Sequence, residues 1–454
     1  MKVKSRREVM IDQAASLSER LDALFDACVK SCRASSRESA CGVTRPLMTE
    51  PGRLRSSGAV LLEGPKACGK TFTAEQVAGS QVYLDLDPAA RTAIRIDPTL
   101  VLNGEPPQLI DEWQLEATSV WNHVRNEVNR RARPGQFVLT GSAVPDDDAA
   151  RHTGAGRFAR LRMRPMSLFE SGESTGAMSL SALLDGGRPT SPASALTVHD
   201  LVGVTVRGGW PLCLDLDLAD AARANRDYLR NIAEVDITRV DPARNDPARA
   251  LRLLRALARN VAMDHKVARL ASSADGDDSP LARTTAYDYL GAFERLMVTE
   301  LQPAWSTHLR SRAKLRTAPR THFVDPSLAV AALDASPAQL LRDLNAFGYL
   351  FESLVIRDIR IFSDPLDGTV THYRDGDGLE VDVIVSTADR WGAFEVKLGT
   401  AQIDEAAATL LAFANKVDTS RMGSPAVLGV VTGTGYGYTR PDGVVVIPVG
   451  ALGP

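Results

Sequence analysis

Residues 64–71 read Gly-Pro-Lys-Ala-Cys-Gly-Lys-Thr, a glycine, four spacers and then Gly-Lys-Thr. That spacing suits a backbone wrapped around phosphate. Gly64, Pro65, Lys66, Ala67, Cys68 and Gly69 would form the wrap, its N–H groups turned toward phosphate oxygens. Lys70 would reach the β and γ phosphates, and the Thr71 hydroxyl would ligate Mg²⁺. An apolar run precedes the loop and a helical pattern follows it, so the positive end of a helix would face the same anion. The bland alternative is a glycine-rich turn between a strand and a helix.

Two further apolar runs end in polar residues that could serve that phosphate. "PQLIDEW" closes on Asp111 and Glu112, some 40 residues after the loop. Asp111 could hold the Mg²⁺ shell, and Glu112 could orient or deprotonate an attacking water. "QFVLTGSA" closes on Thr140-Gly141-Ser142, where Ser142 could sense the γ-phosphate or simply end a strand. Arg157, Arg160, Arg162 and Arg164 follow. An arginine there could stabilise transition-state charge on a neighbouring subunit's nucleotide; otherwise the four form a solvated basic face.

A second constellation lies near the end of the chain. Glu380-Val-Asp382 and Glu395-Val-Lys397 are separated by twelve residues. Alternation along a strand places Glu380 with Asp382, and Glu395 with Lys397, each pair on one face. A hairpin would unite Asp382, Glu395 and Lys397. The two acids could bind Mg²⁺ through hard oxygens, with Glu352 from the preceding helix as a further ligand and Lys397 offsetting phosphate charge. A cross-strand salt-bridge ladder would give the same pattern.

The elements that must position these residues follow from periodicity. Within residues 1–56, "LSERLDALFDACV" is a helical lead-in followed by a Ser/Arg-rich linker. Residues 57–172 alternate short apolar strands ("GAVLLEG", "QVYLDLD", "PQLIDEW", "QFVLTGS") with helices, which predicts a parallel α/β sheet. Residues 173–197 are rich in Pro, Gly and Ser and predict a linker. Residues 198–345 are mostly helical, and three helices followed by an extended stretch suggest a helix-turn-helix with a wing. The helix from Thr284 would be its recognition element, though Asp288 and Glu294 leave it weakly basic. "HLRSRAKLRTAPR", residues 308–320, carries Arg310, Arg312, Lys314, Arg316 and Arg320 and could track DNA phosphates or be a solvated loop. Residues 346–454 alternate helix and strand.

The chain has 454 residues, a net charge of −3, and 44% hydrophobic and 24% charged residues, room for about three domains at ~150 residues each. Such a charge gives no global pull toward nucleic acid. No apolar run approaches the ~18 residues of a membrane span. The basic start lacks a secretory h-region. The odd set of five cysteines (28, 32, 41, 68 and 213) reads as reduced thiols of a cytoplasmic protein.

Taken in order, GxxxxGKT, apolar-Asp-Glu, apolar-Thr-Gly-Ser, then Gly156-Arg157 and "RPMSLFE" resemble AAA-type P-loop ATPases of bacteria and archaea whose ATPase module is fused to a C-terminal domain of unknown function. "GGWPLCL" (208–214) and "YLRNIAEVDITRV" (228–240) resemble the start of that fused domain. The resemblance implies ATP and Mg²⁺ as ligands. It gives Lys70, Thr71, Asp111 and Glu112 the Walker roles, Ser142 the sensor position, and Arg157 that of a finger or second sensor. An arginine acting in trans would require a homo-oligomer. "KAC" inside the loop departs from the family pattern, as does the lead-in, which lacks the short motif entering the first strand. The end of the chain resembles the PD-(D/E)XK nuclease core, helix, β-hairpin, helix, with Gln402 opening the second helix. The expected protein is an α/β P-loop sheet, a helical winged-helix module and a restriction-endonuclease-like α/β domain. It would bind and hydrolyse Mg-ATP on or near DNA. A nucleotide-gated adaptor with negligible turnover and an ATP-regulated Mg²⁺-dependent DNA nuclease remain as alternatives.

Overall fold

The computed structural model describes residues 51–142, 154–240, 246–264, 267–274, 281–306 and 318–454. The lead-in helix expected before residue 51 falls outside these, as do Arg310, Arg312, Lys314 and Arg316. The chain divides between Met163 and Arg164 into two compact units.

The first unit starts with α1 (Pro51–Ser56), then β1 (Ala59–Glu63), α2 (Lys70–Glu75), β2 (Ser80–Tyr83) and α3 (Pro88–Ile96). It continues with β3 (Gln108–Asp111), α4 (Ala117–Arg131), β4 (Phe137–Gly141) and β5 (Phe158–Arg162). The strands form one parallel sheet in the order β2-β3-β4-β1-β5. β1, β3 and β4 are buried almost without break because both faces of a parallel sheet are covered. Ala59, Leu61, Ile110, Phe137 and Leu139 bury one face against Ala90 and Ile94 of α3 and Val120, Trp121, Val124 and Val128 of α4. Trp121 stacks on Phe158 at 4.0 Å. All four predicted strands are present. The helix after the loop is shorter than its pattern, ending at Glu75. Beyond it Gly79 lies against the Pro106 carbonyl, which a Cβ would meet at 2.7 Å.

The second unit begins with β6 (Met178–Ser179), α5 (Leu180–Leu184), α6 (Val198–Arg207) and α7 (Leu218–Asn231), then a widened turn (Ile232–Asp236) and α8 (Ile237–Val240). Three helices follow, α9 (Pro247–Ala258), α10 (Val267–Ser273) and α11 (Arg283–Arg295), then β7 (Thr299–Gln302) paired antiparallel with β8 (Arg320–Phe323). The three helices and the extended stretch after them lie in the order the periodicity predicts. α12 (Pro326–Leu333), α13 (Pro337–Arg342) and α14 (Leu344–Ser363) lead to β9 (Thr369–Arg374), β10 (Glu380–Ser386), β11 (Trp391–Lys397) and α15 (Ile403–Lys416). The chain closes through α16 (Thr419–Met422), β12 (Val427–Thr432), β13 (Tyr438–Thr439), β14 (Val445–Pro448) and β15 (Leu452–Gly453). β9, β10 and β11 are an antiparallel meander, and β11, β12 and β14 run parallel. α15 packs on this sheet through Ile403, Ala406, Ala407, Leu410 and Phe413, with Trp305 and Trp391 filling the same core.

One expected segment is packed differently. Residues 173–197 are no linker. Ser174 Oγ donates to the Leu452 carbonyl at 2.6 Å, β6 pairs with β15, and Leu180, Leu183 and Leu184 are buried. Small residues serve close packing here: a Cβ on Gly453 would stand 2.6 Å from the Gly176 Cα. Around the expected boundary at residue 345, α14 starts at Leu344 and packs against α12 and α6 as well as β9 and β11.

Candidate functional site

The loop after β1 is held by its glycines. A Cβ on Gly64 would meet the Met163 carbonyl oxygen at 2.4 Å, and Gly69 has φ 96°. Only glycine takes either position without strain. Ala67 also has positive φ, 61°, and is exposed. Cys68 lies fully buried under the wrap with its Sγ 3.9 Å from the Met163 carbonyl, so this departure from the family pattern is a packing residue. Lys70 is buried and folds back, donating to the Gly64 and Pro65 carbonyls at 3.0 and 2.7 Å.

The Thr71 hydroxyl donates to Asp111 at 2.9 Å, uniting the start of α2 with the end of β3. Asp111 also accepts from Thr140, its register partner on β4. Thr140 is fully buried, and sequence reasoning passed it over for Ser142. The available signal was that the ends of adjacent parallel strands align. Glu112 accepts from Gln114 and, at 3.4 Å, from Ser142. Burial pushes its carboxyl above the ordinary range, while Lys70 pulls it back.

Arg157 does not join this group. Its carbonyl accepts from Ala59 N at the start of β1, and its guanidinium donates to Asn129 and the Ala155 carbonyl. The loop leaves the other end of β1, about 15 Å away at ~3.3 Å per residue. A role for Arg157 at its own chain's phosphate site is therefore corrected: parallel strands put the residue before β5 on the wrong sheet edge. Arg162, in register with Glu63, is the arginine that reaches the loop edge. Arg160 pairs with Glu63 at 2.9 Å. Arg164, in the second unit, is buried between Glu300 and Asp364.

In the second unit the expected C-terminal residues do converge. β10 and β11 pair with Val383 opposite Phe394. Lys397 Nζ lies 2.7 Å from Glu395 and 3.6 Å from Asp382, and Asp382 also accepts from Val396 N at 3.0 Å. Glu352 of α14 faces the same cleft, a cavity of about 940 Å³ that also contains Asp264, Arg374 and Tyr349. Sequence reasoning misplaced Arg320. Far from tracking phosphate, it is 1% exposed and lies behind the acids that line the cleft. It bonds Glu352 at 3.1 Å, contacts Glu380, and approaches Asp382 at 3.8 Å and Asp264 at 3.5 Å. Burial, then the Asp382 charge, raises Glu352 well above its ordinary range and Glu395 to about 8. Each of the three expected acids thus has a side-chain cation beside it, Arg320 at Glu352 and Asp382 and Lys397 at Glu395. Among the described residues no group of three His, Cys, Asp or Glu side chains is arranged to hold a metal. The helix expected to read DNA, α11, exposes Arg283 and Tyr287 together with Asp288 and Glu294. No helix among the described residues is long and apolar enough to cross a membrane.

Comparison with known proteins divides the chain in three. Residues 56–171 match the family described as AAA domain, and residues 198–339 and 347–452 match two domains of unknown function, DUF8612 and DUF4143. Relatives include the uncharacterized proteins Rv2008c of Mycobacterium tuberculosis and Mb2031c of Mycobacterium bovis. Each is 26% identical over 367 residues, 80% of this chain and 73% of the relative. Among solved structures, the Walker-type ATPase paby2304 of Pyrococcus abyssi aligns at 12% identity with a TM-score of 0.38, over 64% of this chain and 97% of that one. Protein VC1899 of Vibrio cholerae aligns at 10% identity and 0.17, over 86% and 94%. The family match over residues 56–171, together with the loop joined to Asp111 through Thr71, supports a P-loop ATPase domain of AAA type in the first unit.

Proposed function

We propose that the first unit binds Mg-ATP and hydrolyses it. The observation that carries this reading is the junction of Lys70, Thr71 and Asp111 at the mouth of a glycine-closed loop. The Thr71 hydroxyl and Asp111 carboxylate are hard oxygen donors and fit Mg²⁺; when bound, the ion would neutralise charge on the β and γ phosphates. Lys70 would exchange two loop carbonyls for phosphate oxygens. Glu112 would take the proton of the attacking water, and Ser142 beside it would hold the carboxyl or the water. Thr140 would orient Asp111. Arg157 would act only on a nucleotide held by a second copy of the chain, making turnover depend on protein concentration.

Calorimetry with Mg-ATP, paired with phosphate release, tests the reading. Wild-type protein should take up one ATP per chain, and Lys70→Ala should lose at least about tenfold in affinity, ~1.4 kcal/mol, together with turnover. Absence of Mg²⁺-dependent uptake by folded wild-type protein would overturn it. A second reading, a nucleotide-gated adaptor with negligible turnover, is favoured by the contacts that Gln114 and Ser142 already make to Glu112. Neither reading needs DNA: α11 is mixed in charge, and Arg320 is buried.

A further inference from the structure

We propose that Arg320 is the resident cation of the C-terminal cleft, holding Glu352, Glu380 and Asp382 where a hairpin of this kind would place a divalent metal, so that the cleft performs no metal-dependent phosphodiester cleavage.

The position is built rather than incidental. Arg320 opens β8, and its backbone is fixed opposite Gln302 of β7. Gln302 in turn donates to the carbonyls of Thr371 and Asp382, tying β7 to β9 and β10. The guanidinium is therefore held against the acids that line the cleft by two strands rather than by a free loop. It meets acids from three places: Glu352 on α14, Glu380 and Asp382 on β10, and Asp264 in the turn after α9. A planar, permanently charged fork suits that task better than lysine would.

The opposite side of the cleft is closed in the same way. Lys397 holds Glu395 and approaches Asp382, while the Val396 N–H takes the other demand on Asp382. Mg²⁺ needs about six oxygens at ~2.1 Å in near-octahedral order. Bringing Glu352 and Asp382 to that distance would require Arg320 to withdraw, since a divalent ion and a guanidinium a few ångströms apart repel strongly in a buried site. The acid-acid-lysine pattern thus survives with its metal replaced by an internal arginine. This inference concerns a different site from the nucleotide loop and stands or falls separately from it.

The test is Mn²⁺ binding to the full chain without nucleotide, followed by the loss of the free-ion electron paramagnetic resonance signal. Wild-type, Asp382→Asn and Glu395→Gln proteins should titrate alike, because the cleft contributes no site. Arg320→Gln should gain one Mn²⁺ per chain, and Asp382→Asn added to it should remove that gain. Should Arg320→Gln not fold, the wild-type comparison with Asp382→Asn and Glu395→Gln still decides. One Mn²⁺ equivalent bound by wild type and lost in both acid variants would overturn the proposal. So would Mg²⁺- or Mn²⁺-dependent plasmid nicking by wild type that Asp382→Asn abolishes; absence of nicking is the expected result.

Discussion

Glu112 follows β3 in a left-handed backbone, φ 50°, a conformation that costs a non-glycine residue about 1–3 kcal/mol and concentrates at functional sites. The turn takes its carboxyl toward Gln114 and Ser142. A carboxyl raised by burial suits proton transfer from water near neutral pH. Under the proposed reading, Glu112→Gln keeps Mg-ATP affinity but lowers single-turnover phosphate release by about 10²-fold or more. An unchanged rate would remove Glu112 from proton transfer, and equally negligible rates in both proteins would point to the nucleotide-gated adaptor. The same scale shows where residue types mislead. Arg320 was grouped with Arg310, Arg312, Lys314 and Arg316 because they are neighbours in sequence. Its burial among acids comes from its place in β8, which composition does not report.

At the scale of elements, the phosphate loop depends on close backbone approach. β1 and β5 run side by side, and the chain leaving β5 passes directly over Gly64, with Met163 N–H donating to the Glu63 carbonyl at 2.7 Å. A methyl at residue 64 has backbone rather than a flexible side chain to displace. Gly64→Ala is expected to cost about 1–3 kcal/mol and to weaken Mg-ATP binding by about tenfold or more. Calorimetry would read the affinity, and thermal unfolding the stability. Native affinity and stability would show that the loop can shift without penalty. The β10–β11 hairpin was legible from alternation alone. The two-residue period fixes which acids share a face, whichever fold surrounds them.

At the scale of the whole chain, the second unit buries an unusual amount of charge. Arg357 bonds Asp325 and Asp358 at 2.7 and 2.8 Å, and Arg360 bonds Glu300 at 2.7 Å. Two histidines are buried neutral beside them. His322 sits between Ser353 and Gln302, and burial holds it well below its ordinary value. Burial, with the Arg320 charge, lowers His372 to about 4. The unfolded chain binds protons at these imidazoles first, so their contribution is intact above about pH 6.5 and declines as pH falls toward 4. Glu395 at about 8 and Asp358 at about 6 carry the opposite sign, since the folded state keeps their protons longer. A substitution isolates the histidine. Between pH 7.5 and 4.5, the stability of wild type relative to His372→Gln should fall by about 2–3 kcal/mol, read from urea unfolding of the second unit. A pH-independent difference would show that His372 titrates normally.

The linear chain specified what depends on short-range chemistry. Gly64 to Thr71 marked the phosphate loop, the apolar runs marked four of the five strands in the first sheet, and the two-residue spacing marked Asp382, Glu395 and Lys397 as neighbours. Folding decided what depends on register and on the direction of parallel strands. It placed Arg157 on the sheet edge opposite the loop and Thr140 beside Asp111. It built the Pro/Gly/Ser-rich segment into the second unit and drove Arg320 against the acids that line a cleft. Periodicity names the face a side chain occupies, but only the pairing of distant strands determines which charges meet there.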